Sequence, residues 1–179
     1  MPFSYPPVFT PGKAGLDFGF IRGGQDADVP IEMLRIVTGN DTGVFGIDAW
    51  YLGIYVYDPP NNRLVKIWDS GDVKGVLSSQ RQRYNFATGL TSKAKNDQLL
   101  AVATLQIAPG FFQTPRGIGC IFQTGISEPA GVVPQARAAY LNIPIGNLPQ
   151  YVSLNDLVWD KQKVLWASLG PIIGTGVTT

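Results

Sequence analysis

Tyr51, Gly53, Tyr55 and Tyr57 alternate with Leu52, Ile54 and Val56, the period of two that marks a strand with two different faces. Asp58-Pro59-Pro60-Asn61-Asn62 interrupts the run and Leu64-Val65-Lys66-Ile67-Trp68 resumes it, which predicts a β-hairpin with a loop of about five residues. Aromatic and β-branched residues crowd both arms and two prolines stand between them, so a helix is disfavoured. The chain is organised around this hairpin. One of its faces must be core, and the aliphatic one fits better. The tyrosine face is then a ligand surface, a protein interface or a second buried layer.

Similar patterns recur. Leu16 to Ile21 alternates, Pro30 to Val37 follows, and the cluster Gly39-Asn40-Asp41-Thr42-Gly43 closes that segment. Gln82 to Phe86 alternates with Tyr84 and Phe86 on one face. Gln98 to Gln106 is almost continuously apolar and reads as a strand buried on both faces, with helix its competitor because Leu, Ala and Gln form helices well. Gly117 to Gln123, Arg137 to Ile143 and Val164 to Leu169 are further short strands, the first of them buried. Ser153 with Asp156 three residues on resembles a capping box and predicts one short helical turn. About eight or nine short strands with closely spaced turns predict an all-β fold, an antiparallel β-sandwich of jelly-roll-like form. Residues 1–15 are rich in Pro and aromatics and read as an extended arm, with Phe3, Tyr5 and Phe9 docking on this domain or on a neighbouring subunit. Residues 16–169 form the single sandwich domain, and 170–179 a Gly/Thr-rich tail.

Composition narrows the function. Of 179 residues, 45% are hydrophobic and 15% charged, against roughly 25% charged in an average soluble domain. Frequent Gly and Pro suit many tight turns. No apolar run approaches the about 18 residues of a membrane-spanning helix, so membrane insertion is not expected. Fourteen basic and thirteen acidic residues leave a net charge of +1, without the basic excess that phosphate backbones require. Nucleic acid is therefore not an expected partner. Arg81 and Arg83, two apart on one strand face, and Lys93 and Lys95 in the following turn read as a solvated strand edge. The first residues lack a basic stretch followed by an apolar one, which predicts no secretory signal and synthesis in a cytoplasm.

Histidine is absent and Cys120, the sole cysteine, lies in an apolar run. Nucleophile and base pairs built on either residue are thereby disfavoured. Asp26, Asp28, Asp41, Asp48, Asp58 and Asp69 are available for paired-carboxylate chemistry, but most stand beside turn formers, where a carboxylate caps a turn. Gln25-Asp26-Ala27-Asp28 and Asn40-Asp41-Thr42 offer hard oxygen ligands from two loops, without the fixed spacing of an EF-hand loop. Gly23-Gly24 and Gly117-x-Gly119 lack the ending of a phosphate loop. No enzyme activity, cofactor or metal is expected. The candidate site residues are Trp50, Tyr51, Tyr55, Tyr57 and Trp68, as interface aromatics or as a stacking platform for a host-surface glycan.

The run Arg83-Tyr84-Asn85-Phe86-Ala87-Thr88-Gly89-Leu90-Thr91, a polar turn, and then Leu100 to Gln106 resembles the C-terminal β-sandwich domains of tail-associated structural proteins from phages of actinobacteria. The Trp/Tyr-rich hairpin and the stretch Asn147-Leu148-Pro149-Gln150 fit the same pattern, so the resemblance spans residues 48–160. It implies a virion structural protein, in a tail or tail tip, that contacts other virion proteins and itself as a homo-oligomer, with a trimer favoured. A carbohydrate-binding or host-adhesion module and a capsid decoration protein are the alternatives. The chain departs from the long multidomain tail proteins in being essentially one sandwich with two arms.

Overall fold

The computed structural model describes residues 7–12, 15–24, 28–39, 46–77, 81–122, 132–141, 146–160 and 162–172. Within them the strands are β1 (Val8–Phe9), β2 (Leu16–Arg22), β3 (Val29–Pro30), β4 (Met33–Val37), β5 (Ala49–Asp58), β6 (Arg63–Asp72), β7 (Arg83–Ala87) and β8 (Lys93–Ala94). They continue with β9 (Leu99–Ile107), β10 (Ile118–Phe122), β11 (Ala138–Leu141), β12 (Tyr151–Ser153), β13 (Val158–Asp160), β14 (Lys163–Leu165) and β15 (Ala167–Gly170). Every pairing between them is antiparallel. The protein is all-β and sandwich-like.

The main sheet has seven strands in the order β12-β6-β5-β9-β2-β11-β13, and its shape follows from its ends. Strands lie about 4.8 Å apart, so the edge strands of a flat seven-stranded sheet would stand about 29 Å from one another. Here the two edge strands are consecutive in the chain. Five residue steps separate Ser153 from Val158, and they reach at most about 18 Å. The sheet must therefore curl until its edges approach. The seam is a 3-10 turn at Leu154–Asp156, where Ser153 Oγ accepts from the Asn155 N–H. The predicted capping turn is present, but it joins two strands too short for their pattern to reveal.

Curling divides the interior in two. Leu154 and Leu157 of the seam pack with Leu16, Phe18, Tyr55 and Leu64, which identifies that cluster as the concave core. The convex face carries Trp50, Leu52, Ile54 and Val102 against Leu34, Ile36, Ile118 and Leu165 of a second layer. In that layer β4 lies between β15 and β7, and β10 between β1 and β14. A bridge between Thr38 and Ile118 joins the two triplets. Residues 163–170 form one run that changes partner at Trp166, whose N–H donates to the Gly119 carbonyl at 2.8 Å. Close approach of the layers needs a glycine. A Cβ on Gly19 of β2 would lie 3.0 Å from Leu165 Cβ and 3.2 Å from the Leu165 carbonyl oxygen.

Several expectations change. Val164 to Leu169 is divided between β14 and β15 rather than forming one strand. In β10 only Ile118 to Cys120 are buried, whereas Ile121 and Phe122 face solvent. Arg81 lies outside β7 with φ of 48°, so it does not share a strand face with Arg83. Lys93 belongs to a strand, not to a turn. The Gln98 to Gln106 run is a strand, because both faces of β9 meet a core and β2 and β5 flank it. The arm is more than an extended lead-in: Phe9 packs on the convex core and Cys120 N–H donates to the Pro7 carbonyl at 2.8 Å. Phe3, Tyr5, Asp26, Asn40, Asp41, Thr42 and residues 173–179 lie outside the described residues.

Candidate functional site

The hairpin is held by its turn. Asp58 Oδ2 accepts from Asn61 Nδ2 at 2.8 Å and from Arg63 Nε at 2.9 Å. These bonds hold the Asp58 carboxyl below its ordinary range. Asn62 takes the left-handed conformation, φ 46°, and its N–H returns to the Pro59 carbonyl. The arms therefore leave the turn in a fixed register, with Tyr57 opposite Leu64 and Asp58 opposite Arg63.

That register distributes the five candidate aromatics over two cores. Trp50 is fully buried on the convex face, where Nε1 donates to Thr104 Oγ1 at 2.9 Å. Its own N–H donates to Asp72 Oδ1 at 3.0 Å. Burial pushes the Asp72 carboxyl up, but the bonds from the Trp50 and Lys74 N–H groups and the Lys74 charge outweigh it and leave it lowered. Tyr55 is fully buried on the concave face, edge-on to Phe18 at 5.5 Å, and donates to the Pro149 carbonyl at 2.8 Å. Burial, with Asp69 adding to it, raises the Tyr55 phenol well above its usual value. Tyr51 and Tyr57 are half-buried against the concave core, and Trp68 against the convex one. The tyrosine face is thus largely a second buried layer, and the five rings share no common solvent-facing surface.

The apolar side chains that do meet solvent lie elsewhere. Phe111 and Phe112 are 90% and 69% exposed and stack edge to face at 5.0 Å. Their loop is anchored at both ends. Gln106, fully buried, donates from Nε2 to the Arg116 carbonyl at 2.8 Å and accepts from the Arg116 N–H at 2.6 Å. Gln113 Nε2 donates to the Gly46 carbonyl and to Asp48 Oδ1. A rigid mount presents a pair of aromatic rings. Ile121 and Phe122 of β10 and Val8 of β1 add exposed apolar surface on the second layer.

Of the carboxylates singled out in the sequence, Asp58 and Asp69 serve local turns and ion pairs, while Asp48 bonds across to a distant loop. Asp48 accepts from Gln113, Asp58 caps the hairpin turn, and Asp69 accepts from Lys66 and from the Gly71 N–H. No cluster of three metal-ligating side chains exists among the described residues. The carboxylate that stands apart is Asp17, which sequence reasoning passed over. It lies on the β2 face crossed by β14, and its Oδ2 is buried without a hydrogen-bond partner. Burial first, then the neighbouring Asp160, push it up to about 7, opposed by Lys163. The available signal was an acid inside the apolar Leu16 to Ile21 run. Cys120 is buried, and burial raises its thiol.

No family model matches the chain, and no curated protein matches it.

Proposed function

We propose that the protein is a non-enzymatic structural subunit of a bacteriophage virion, in the tail or its tip, that assembles as a homo-oligomer with a trimer favoured. The observation that carries the assembly reading is the Phe111–Phe112 pair, held out on an anchored loop. Large apolar groups displayed on a rigid mount suit burial against a neighbour. The virion assignment rests on the resemblance of the Arg83 to Thr91 and Leu100 to Gln106 pattern to phage tail domains. A glycan platform on the hairpin has less support, because Trp50 and Tyr55 expose no ring surface.

Light scattering across protein concentration tests the assembly reading, with the double variant Phe111→Ser/Phe112→Ser alongside. A trimer or larger ring is expected for the native chain and monomer for the variant. A native chain that stays monomeric at high concentration, or a variant that assembles unchanged, overturns it.

A further inference from the structure

At the end of the curled sheet where β2 finishes and β9 begins, the concave core reaches the surface. Two hollows of about 390 and 420 Å³ lie there and share Arg22 and Leu99 as lining. Each is within the size range of small-ligand sites, which often occupy the mouths of rolled sheets. Arg22 stands between them in a fixed pose. Its Nη1 donates to Asp97 Oδ1 at 3.2 Å, and its Nη2 to the Val133 carbonyl at 2.9 Å. Phe20 and Leu99, both core residues, supply an apolar floor to the first hollow, and Pro134 a wall.

Charge singles out this place. Among the described residues, Arg22, Lys95 and Arg137 line the two hollows against one carboxylate, Asp97, in a chain whose total is fourteen basic to thirteen acidic. A concave surface with apolar walls focuses such a field. Arg22 and Arg137 both border the first hollow, while Asp97 borders only the second.

We infer that the first hollow binds a small amphipathic organic anion. Its apolar body lies on Phe20, Leu99 and Pro134, and its carboxylate, sulfonate or phosphate group lies between Arg22 and Arg137. The bond from Arg22 Nη2 to the Val133 carbonyl holds the side chain in place, so less conformational freedom is lost when the anion arrives. Asp97 competes for the same guanidinium and sets the affinity down. This site is independent of the assembly reading.

The test uses the folded protein with 1-anilinonaphthalene-8-sulfonate as probe, titrated by calorimetry at about 0.15 M salt, where exposed charges beyond about 8 Å are screened. The neutral N-phenyl-1-naphthylamine, the same body without the sulfonate, is the reference. Saturable one-to-one binding of the sulfonate is expected, and Arg137→Glu should weaken it about tenfold or more. Asp97→Asn should tighten it about threefold, because an exposed ion pair that contributes little to folding no longer competes for Arg22. Lys93→Glu, a charge reversal outside both hollows, should change it by less than about twofold. Absence of saturable binding, equal affinity for the neutral amine, or equal losses in Arg137→Glu and Lys93→Glu would each overturn the inference.

Discussion

Asp17 shows how one side chain can set the pH response of a fold. Its carboxyl lies between sheet and second layer with one oxygen lacking a partner, and its pKa stands near 7 against 3.8 for the free group. The folded chain therefore holds this proton more tightly than the unfolded chain does. The stability it contributes is present in full below pH 4 and is lost as pH rises through about 7. At about 1.4 kcal/mol per pKa unit, the loss is on the order of 4 kcal/mol at most. Thermal unfolding should show stability falling from pH 5 to pH 8. Asp17→Asn, which keeps the shape without the charge, should melt higher at pH 8 and with a shallower pH slope. An unchanged slope would remove Asp17 as the cause. The sequence showed the position but not the burial. In Leu16-Asp17-Phe18-Gly19 the alternation assigns Asp17 and Gly19 to the less apolar face, and only the passage of β14 over Gly19 covers it.

Among the elements, hairpin and seam contrast in legibility. Both hairpin arms carry ten residues, long enough for the period of two to show, and the Pro-Pro-Asn-Asn turn is written in residue types that enforce it. The seam strands have three residues each, and a three-residue strand has no measurable period. Only the cap at Ser153 was readable. Cap and seam separate by mutation. Ser153→Ala removes one cap bond and should cost about 1 kcal/mol. Leu154→Ala empties a buried site where the sheet edges meet and should cost about 2–5 kcal/mol. Urea unfolding compares them, and a Leu154→Ala cost no larger than that of Ser153→Ala would argue against the seam as a structural joint. The aromatics of the hairpin were also legible as a two-faced strand. That both faces are interior was not, since a buried tyrosine layer and an exposed one have the same spacing.

For the whole molecule, the second layer is closed by the N-terminal arm. Val8 pairs with Gly119 and lies against Gly39, where a Cβ would come 2.6 Å from Val8 Cγ1. Gly39→Ala should therefore push the arm off β10 and cost about 1–3 kcal/mol. Hydrogen exchange is expected to quicken at the Cys120 N–H, whose acceptor is the Pro7 carbonyl, while the amides of β9 stay protected. Equal protection of Cys120 in the variant would mean that the arm tolerates the added methyl. By itself the sequence determined the all-β class, the central hairpin with its turn, the doubly buried β9 and the capped turn at Ser153, because turn chemistry and side-chain period act over a few residues. Tertiary structure alone decided the curl, the two cores, the burial of Trp50, Tyr55 and Asp17, and the meeting of Arg22 with Asp97 and Val133. Each of these depends on which distant strands become neighbours, and local patterns carry no record of that choice.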